Sequence, residues 1–501
     1  MNLTVAAPLR VEAWFARRGL DGTIVVHIGM GPRHAARTGA MLTGSDTAVA
    51  VVGFAGALDS ALRPGQVVVA TEVRTSDASV APIELPSAPP LAVALRRAGL
   101  DVVTGPVIAT PRLTNGGARD TLVATGAIAV EMESPWLLEP LVRAGVDARR
   151  LAVVRVISDT PSHRLVSPAT VTGGTRAARR LRVLGPVLEQ WAAALGPRRV
   201  LAASPRSFCA GVERAITVVE RALERYGRPV YVRRQIVHNT HVVRRLEAIG
   251  AVFVQELDEV PDHSTVVLAA HGVAPEVHAD AERRQLFTID ATCPLVAKVH
   301  REAKRYGDEG YDIVLIGHTD HEEVIGTRGE AARITVVSEP EQVDALDLDP
   351  SKVAYLTQTT LALDETAAVI DRLRERYPAI VGPRADDICY ATQNRQEAVR
   401  TIAPECDLMV VVGSANSSNT NRLVEVSRRA GCPAVLVEDA SELGLDVLAG
   451  ARTIGLTAGA SVPDELVDGV VAALSGLGSV DVEERRVVEE NVQFRLPAEV
   501  R

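Results

Sequence analysis

Short hydrophobic runs alternate with amphipathic stretches along the whole chain. Examples are TIVVHIG (23–29), TAVAVVGFAG (47–56), LAVVRVI (151–157), YDIVLIGH (311–318) and DLMVVVGS (407–414). Runs this rich in valine and isoleucine predict buried strands, and the stretches between them have the hydrophobic spacing of helices. Strands that alternate with helices are typical of parallel sheets. The pattern therefore predicts an α/β fold.

One predicted helix is followed by a strong stop signal. This helix covers Ala178–Ala194, and the sequence Leu195-Gly196-Pro197 separates it from a predicted strand at Val200–Ala203. Glycine and proline at this position are typical of helix ends. We therefore expect two domains, residues 1–197 and residues 198–501.

The second of these regions contains a loose threefold repeat. Cys209, Cys293 and Cys389 each precede a helical pattern, namely AGVERAITVVERALERYG, PLVAKVHREAKRYG and YATQNRQEAVRTIA. Each repeat also has a strand that ends in a histidine or in small polar residues. Three similar α/β units, each with one cysteine at a helix start, would place three thiols around a common centre.

The position of these cysteines suggests metal binding. The partial positive charge of a helix N-terminus favours a thiolate, and thiolates bind zinc or iron–sulfur clusters. No two cysteines have C-x₂-C spacing. Spacing alone therefore leaves open whether they form a metal centre or are buried structural residues. Cys406 and Cys432 lack the helix-start context, and we expect both to be ordinary core residues.

Composition and charge exclude several classes of function. The chain has 501 residues, of which 47% are hydrophobic and 23% charged, and its formal net charge is −9. Nucleic-acid-binding proteins are usually basic, so we expect no nucleic-acid partner. Five cysteines are too few for a disulfide framework in a chain of this length. No hydrophobic run has the roughly 18 residues of a membrane helix. We expect a cytoplasmic protein without a membrane span.

Residues 198–501 resemble the 4-hydroxy-3-methylbut-2-enyl diphosphate reductase family. The matching segments occur in order, and they are SPRSFCAGVERAI, IVHNTHVV, AAHGV, DATCPLVAKVH, GHTDHEEVIGT, LTQTTL, VGPRADDICYATQNRQEAV, GSANSSNTNRL and GLTAGASVPD. The resemblance implies three α/β units around a central iron–sulfur cavity. Cys209, Cys293 and Cys389 would each bind one iron of a [4Fe–4S] cluster, with the fourth iron left open as a Lewis acid.

The same resemblance implies an activity and a redox partner. The family reduces 4-hydroxy-3-methylbut-2-enyl diphosphate to isopentenyl and dimethylallyl diphosphates in the non-mevalonate isoprenoid pathway. Electrons would come from ferredoxin or flavodoxin. Cleavage releases water and leaves an allylic anion, so an acid is required. Glu323 matches the proton donor, and Thr359 matches the residue that orders the substrate hydroxyl.

The resemblance also implies a set of contacts to the diphosphate. The matching residues are His238, His271, His321, Ser417, Ser418, Asn419 and Ser461. Protonated imidazoles can donate to phosphate oxygens and offset their charge. Ser417–Asn419 follow a strand and open a predicted helix, which is an arrangement that favours anion binding.

Residues 1–197 resemble the purine nucleoside phosphorylase and nucleosidase superfamily, in particular its hopanoid-associated branch. The matching segments are VVHIGMGPRHA, VVGFAGALDSALRPGQVVVATEV, AVEMES and VVRVISDT. The resemblance implies that Met132 and Glu133 bind the ribose and that Asp159 protonates the departing purine. Phe54-Ala55-Gly56 would lie beside the base. The hopanoid-associated branch implies an adenosylated triterpenoid as the substrate.

Alternatives remain open for both regions. The first could act by phosphorolysis, with Arg33 as a candidate phosphate contact, or by hydrolysis, with Glu12 as a candidate base. It could also be a regulatory module that binds a nucleoside without cleaving it. The three cysteines of the second region could form a structural zinc site in a non-catalytic protein. The leading hypothesis is an enzyme with two activities, a reductase and an N-glycosidic-bond-cleaving domain.

Overall fold

The chain forms two compact units. The structure is a computed structural model, and it describes residues 1–44, 47–75, 80–114, 117–160 and 168–501. The first unit consists of Met1–Arg199, Asp439–Arg452 and Asp468–Asp481. The second consists of Val200–Glu438, Thr453–Val467 and Val482–Arg501. The domain limits 1–197 and 198–501 remain a prediction.

The first unit combines a mixed sheet with surrounding helices. Within the described ranges, its strands are β1 (Asn2–Ala7), β2 (Ile24–His27), β3 (Thr47–Ala57), β4 (Val67–Thr75), β5 (Ile83–Glu84), β6 (Val102–Ala109), β7 (Ala129–Glu131) and β8 (Leu151–Asp159). Its helices are α1 (Arg10–Arg17), α2 (Pro32–Leu42), α3 (Ala88–Arg97), α4 (Gly117–Val123), α5 (Ser134–Arg143) and α6 (Pro168–Ala194). Helix α6 ends at the predicted residue and extends further toward the amino terminus than predicted.

Five strands of this sheet close into a ring. Strand β3 pairs with β8, β8 with β4, β4 with β6, β6 with β7, and β7 with β3. The β4·β8 and β3·β7 pairs are antiparallel, so the parallel pairing that the alternating pattern favours does not extend to every pair of this sheet. The short strand β7 pairs with both β3 and β6 and completes the ring. Buried valines such as Val51, Val68 and Val153 belong to its hydrophobic core.

The second unit contains a longer series of strands and helices. Its strands are β9 (Arg198–Ser204), β10 (Val230–Arg233), β11 (Ala251–Val254), β12 (Thr265–Leu268), β13 (Phe287–Asp290), β14 (Asp312–Ile316), β15 (Ile334–Val337), β16 (Val353–Thr357), β17 (Leu408–Val412), β18 (Ala434–Val437), β19 (Thr453–Ala458) and β20 (Val480–Arg486). Its helices are α7 (Ala210–Tyr226), α8 (Thr240–Ala248), α9 (Pro275–Arg283), α10 (Pro294–Asp308), α11 (Glu322–Arg328), α12 (Leu363–Arg376), α13 (Tyr390–Ile402), α14 (Ser418–Arg429) and α15 (Asp464–Ser475). Parts of β9, β20 and α15 belong to the first unit.

Three sheets in this unit repeat one arrangement. Their strand orders are β11-β10-β12-β13, β15-β14-β16 and β18-β17-β19-β9-β20. In each sheet the first strand of the repeat lies between the two strands that follow it in sequence, and it pairs with both of them in parallel. Thus β10 lies between β11 and β12, β14 between β15 and β16, and β17 between β18 and β19. The predicted threefold α/β repeat is therefore confirmed. None of the helices in the described part of the chain combines the length and hydrophobicity needed to cross a bilayer.

Candidate functional site

A cavity in the second unit lies beyond the carboxyl ends of the parallel strands. Each sheet contributes two residues to its lining, one after the strand that starts the repeat and one after a neighbouring strand. These residues are His238 and His271 after β10 and β12, His321 and Thr359 after β14 and β16, and Ser417 and Ser461 after β17 and β19. Ligands of parallel sheets bind at this edge, so the repeated topology places six polar side chains around one centre.

Cys209, Cys293 and Cys389 line the same cavity. They are the N-cap residues of α7, α10 and α13, as the sequence predicts. A Cβ atom added to Gly211 would lie 2.8 Å from Cys293 Sγ and 3.8 Å from Cys209 Sγ, so this glycine leaves room for two of the sulfurs. Within the described residues, no three His, Cys, Asp or Glu side chains are arranged to hold one metal ion. The three thiols face a shared space without converging on a single point.

Burial dominates the ionisation of the Cys293 and Cys389 thiols. Burial first, and the nearby Cys209 after it, raise the pKa of Cys293 to about 11 and that of Cys389 to about 12. Backbone amides at the helix starts act in the expected, opposite direction: those of Leu295 and Val296 on Cys293, and that of Thr392 on Cys389. The helix starts thus favour the thiolates as expected, but desolvation outweighs this effect at these two cysteines.

Three histidines cluster on one side of the cavity. The rings of His238 and His271 stack with centroids 4.1 Å apart, and His321 lies 5.7 Å and 6.0 Å from them. Burial, together with the two neighbouring histidines, lowers the pKa of His238 to about 2. Burial and His271 lower the pKa of His321 to about 4. Both rings are therefore neutral in the ligand-free cavity at pH 7, and His238 Nε2 is buried without a hydrogen-bond partner.

Glu323 is a buried carboxyl group in the cavity wall. Its Oε1 accepts a hydrogen bond from the Thr359 amide at 2.6 Å, and its Oε2 lies 3.0 Å from Thr359 Oγ1. Burial raises the pKa of Glu323, whereas the two Thr359 contacts lower it. Glu322 does not line the cavity and lies 3.5 Å from His271 Nδ1. The structure thus brings Glu323 and Thr359 together and places the two adjacent glutamates in different surroundings.

The start of α14 supplies further polar groups. Ser417 caps this helix, and Ser418 and Asn419 occupy its first turn. Both polar atoms of the Asn419 side chain are buried without a partner. Ser461 Oγ donates to the backbone oxygen of His238 at 3.0 Å. Unpaired buried polar atoms are costly, so Asn419 and the unpaired nitrogen of His238 indicate that this wall binds a polar ligand.

Several lining residues escaped the sequence analysis. They are Thr360, Tyr390, Thr392 and Phe494, among others. Thr392 lies three residues after Cys389, and its hydroxyl is 3.0 Å from Cys389 Sγ. The helical spacing of these two residues was an available signal. Phe494 lies far from the motifs in sequence and gave none.

A second cavity lies in the first unit, at the ends of strands in the ring. It is lined by the predicted residues Met132, Glu133 and Asp159, and by Glu12 and Phe54-Ala55-Gly56. Glu12 is 2% exposed and accepts hydrogen bonds from the amides of Phe54 (2.6 Å) and Leu9 (2.7 Å). The structure therefore brings together the residues that the sequence analysis placed around a nucleoside. Arg33 is exposed and is not part of this lining.

Carboxyl groups dominate this second cavity. Glu133 accepts a hydrogen bond from the Gly31 amide at 3.1 Å, and burial raises its pKa to about 7. Burial likewise raises the pKa of Glu12. The sequence analysis missed Glu131, which pairs with the fully buried Arg155 behind the lining. It also missed Arg119, which pairs with Asp159.

Two family models match successive parts of the chain. Residues 200–475 match the family model described as LytB protein, and residues 12–182 match that of the phosphorylase superfamily. The chain is 57% identical to the 4-hydroxy-3-methylbut-2-enyl diphosphate reductase of Acidothermus cellulolyticus over 310 residues, which are 61% of this chain and 91% of that protein. It is 55% identical to the Streptomyces coelicolor enzyme of the same name over 307 residues, with shares of 61% and 91%.

A solved structure agrees with this assignment. The E-1-hydroxy-2-methyl-but-2-enyl-4-diphosphate reductase from Plasmodium falciparum superposes with a TM-score of 0.59 at 38% identity, covering 61% of this chain and 97% of that one. The cavity with three helix-capping cysteines therefore belongs to an α/β oxidoreductase. The chain is a member of the LytB family, and it carries a phosphorylase-superfamily region before the matched part.

Proposed function

We propose that the second unit reduces 4-hydroxy-3-methylbut-2-enyl diphosphate to isopentenyl and dimethylallyl diphosphates. Two electrons and two protons replace the hydroxyl group, which leaves as water. The observation that carries the proposal is the convergence of three cysteines, three histidines and one buried carboxyl group on a single cavity. The high identity to named reductases over nine-tenths of their length supports the same activity. Anaerobic turnover of this substrate with a chemical reductant tests it.

A [4Fe–4S] cluster fits the three cysteines. In such a cluster each cysteine binds a different iron, so the three thiolates face a common space but do not meet at one ion. Cys209, Cys293 and Cys389 line one cavity and are not arranged around a single ion. The same arrangement does not favour the alternative of a structural zinc site, whose ligands converge on one ion. When bound, the cluster supplies electrons and an open Lewis-acid position. Ferredoxin or flavodoxin is the proposed electron donor.

The polar wall is proposed to hold the diphosphate. His238, His271 and His321 donate to its oxygens when protonated, and the start of α14 adds backbone and side-chain donors. Ser461 belongs to the same wall. Asn419 then gains partners for the two buried atoms that lack them in the ligand-free chain. Glu323 donates the proton, and Thr359 holds its carboxyl group in place.

Binding of the diphosphate is expected to take up protons. His238 and His321 are neutral in the ligand-free cavity because their pKa values lie far below 7. A diphosphate anion beside them raises both values, so the rings bind protons as the ligand binds. The affinity of the cluster-loaded protein for isopentenyl diphosphate should therefore increase as the pH falls through the raised pKa values of the two rings, toward the values of about 4 and about 2 that the rings have without the diphosphate. Titration calorimetry in buffers of different ionisation enthalpy measures this uptake.

A matched pair of variants makes the test specific. His238→Gln should reduce the proton uptake, whereas His278→Gln should leave it unchanged, because His278 does not line the cavity. Equal uptake by the wild type and His238→Gln would contradict the role given to His238.

For the first unit we propose hydrolysis of the N-glycosidic bond of a purine nucleoside. Met132 and Glu133 bind the ribose, and Asp159 protonates the departing purine. Glu12 removes a proton from the attacking water, and a carboxylate of raised pKa is a stronger base. The assembly of these residues around one cavity carries this proposal.

The charge of the cavity favours hydrolysis over phosphorolysis. Its described lining contains four carboxyl groups, of Glu12, Glu131, Glu133 and Asp159, and one guanidinium group, of Arg119. The one guanidinium group of this lining is already paired with Asp159, so the described lining offers inorganic phosphate no unpaired cationic side chain, whereas water needs none. Arg33, the candidate phosphate contact, is exposed outside it. Purine release in phosphate-free buffer, with free ribose rather than ribose 1-phosphate as the other product, is the expected result.

Asp159→Asn should lower nucleoside cleavage by at least about 10²-fold, because the amide cannot donate the proton that the leaving purine needs. Binding should change far less, since Met132 and Glu133 remain. Release of free purine and titration calorimetry measure the two effects. A wild-type protein that binds purine nucleosides but never cleaves them would instead support the alternative of a regulatory binding module.

A further inference from the structure

Each repeat of the second unit carries one cation in the second turn of the helix that its cysteine caps. The proposed reaction does not use these cations, and none of them lines the cavity. They lie five, five and six residues after Cys209, Cys293 and Cys389, and they are Arg214 on α7, Lys298 on α10 and Arg395 on α13. The sequence analysis gave them no role, although their positions repeat with the cysteines.

Arg395 joins α13 to the residues that precede Cys209. Its Nη2 atom donates to the backbone oxygens of Ser207 at 2.8 Å and Phe208 at 3.3 Å, and its Nε atom donates to that of Ser207 at 3.2 Å. Its Nη1 atom lies 3.1 Å from Glu490 Oε1, and this carboxylate offsets the buried charge. A fully buried guanidinium group of the third repeat therefore holds the segment that leads into the cysteine of the first.

Arg214 makes the equivalent connection from α7 to the residues that precede Cys293. Its Nη1 atom donates to the backbone oxygens of Ala291 and Thr292, each at 3.0 Å. Its Nε atom donates to the backbone oxygen of Arg495 at 2.8 Å. The main acceptors are again the two residues directly before a cysteine. A cation of the first repeat thus holds the segment that leads into the cysteine of the second.

Lys298 makes the third connection, from α10 to the residues that precede Cys389. Its ammonium group donates to the backbone oxygens of Ala385 and Asp386, and it lies 3.0 Å from Asp387 Oδ1. The Asp387 side chain is fully buried, so this carboxylate and the ammonium group fix each other. A cation of the second repeat thus holds the segment that leads into the cysteine of the third.

The three connections close a ring through the repeats, from the first to the second, the second to the third and the third back to the first. Each cysteine is therefore held from two sides, by the helix that it caps and by the cation of another repeat. Groups behind the ligands of a metal centre orient those ligands and raise the affinity for the metal. We propose that Arg214, Lys298 and Arg395 are positioning residues that hold the three thiols for the cluster. This inference rests on the proposed cluster.

Iron retention by the full-length protein tests this role without turnover. After anaerobic reconstitution, Lys298→Met should release iron to a ferrous-iron chelator roughly 10- to 100-fold faster than the wild type, since this is the usual loss when an outer partner of a metal ligand is removed. Lys298→Arg keeps the charge and the donors, so it should restore most of the retention. Lys304→Met is the matched control, because Lys304 is exposed on the same helix. It should release iron at the wild-type rate.

Arg214→Met opens a different connection of the ring and should accelerate iron release to a similar extent. Its control is Arg221→Met, because Arg221 lies on the same helix with more than half of its side chain exposed. The electron paramagnetic resonance spectrum of the reduced cluster should change in Lys298→Met and in Arg214→Met. It should return to the wild-type form in Lys298→Arg, because the cation again holds the segment before the third cysteine.

Two results would overturn the inference. One is wild-type iron release with an unchanged spectrum in both Lys298→Met and Arg214→Met. The other is a loss of iron in Lys298→Met that Lys298→Arg does not restore. A wild type that retains no iron would contradict the proposed cluster together with this inference. A wild type that retains its cluster but does not reduce the diphosphate would contradict the proposed activity alone.

Discussion

Serine at Cys209, Cys293 or Cys389 is expected to remove most of the bound iron and nearly all reductase activity. Each cysteine caps a different helix and faces the same cavity, so no neighbouring cysteine can replace a lost ligand. A serine hydroxyl is a poor substitute for a thiolate at an iron–sulfur cluster. Iron content and the visible and electron paramagnetic resonance spectra after anaerobic reconstitution measure the effect independently of turnover.

Two cysteines in the same unit provide controls. Cys406 and Cys432 pack in the hydrophobic core around β17 and α14, and the Cys406 thiol donates to the backbone oxygen of Ile402 at 3.2 Å. Serine can make a similar contact, so Cys406→Ser and Cys432→Ser should keep both iron and activity. Unchanged iron content in all three helix-start variants would show that the cluster assignment is wrong.

Glu323→Gln is expected to lower the rate of reduction by at least about 10²-fold, the lower limit for a lost general acid. Glutamine can keep the contacts to the amide and hydroxyl groups of Thr359, but it cannot donate a proton as an acid. The cluster spectrum and the affinity for the diphosphate should therefore remain close to those of the wild type. Single-turnover reduction with excess reductant measures the chemical step.

The adjacent glutamate is the matched control for this variant. Glu322 lies outside the cavity lining and close to His271, so Glu322→Gln should reduce turnover much less than Glu323→Gln. Near-normal turnover of Glu323→Gln, combined with a large loss in Glu322→Gln, would exchange the roles of the two residues.

Local signals explain why so much of the second unit could be predicted. Alternating strand and helix patterns indicated the repeats, and the helical spacing after Cys209, Cys293 and Cys389 located three helix starts within a residue. These features depend on neighbours in sequence, which hydrophobic periodicity reports directly. The residue roles came from the family resemblance, and spacing alone did not choose between zinc, a cluster and a structural role.

Long-range contacts account for what the sequence did not predict. Strand β7 is too short to show a period, so the closed ring of the first unit and its antiparallel pairs gave no signal. Arg119 meets Asp159 across 40 residues of sequence, and Gly211 lies beside the sulfur of Cys293 from the next repeat. The ionisation of Cys293 also depends on burial, which a helix start does not reveal.

The first unit draws on segments from distant parts of the chain, and this affects its folding during synthesis. The Gly196 amide donates to the backbone oxygen of Leu477 at 3.0 Å, and Arg149 Nε donates to that of Ser475 at 2.8 Å. The ribosome therefore completes Met1–Arg199 well before Asp468–Asp481 has been made. At about 5–20 residues per second, the nascent amino-terminal region waits roughly 15–60 s for its last segment. During this interval Gly196 and Arg149 lack these two acceptors, so the amino-terminal region can complete its packing only when synthesis of the chain is nearly finished.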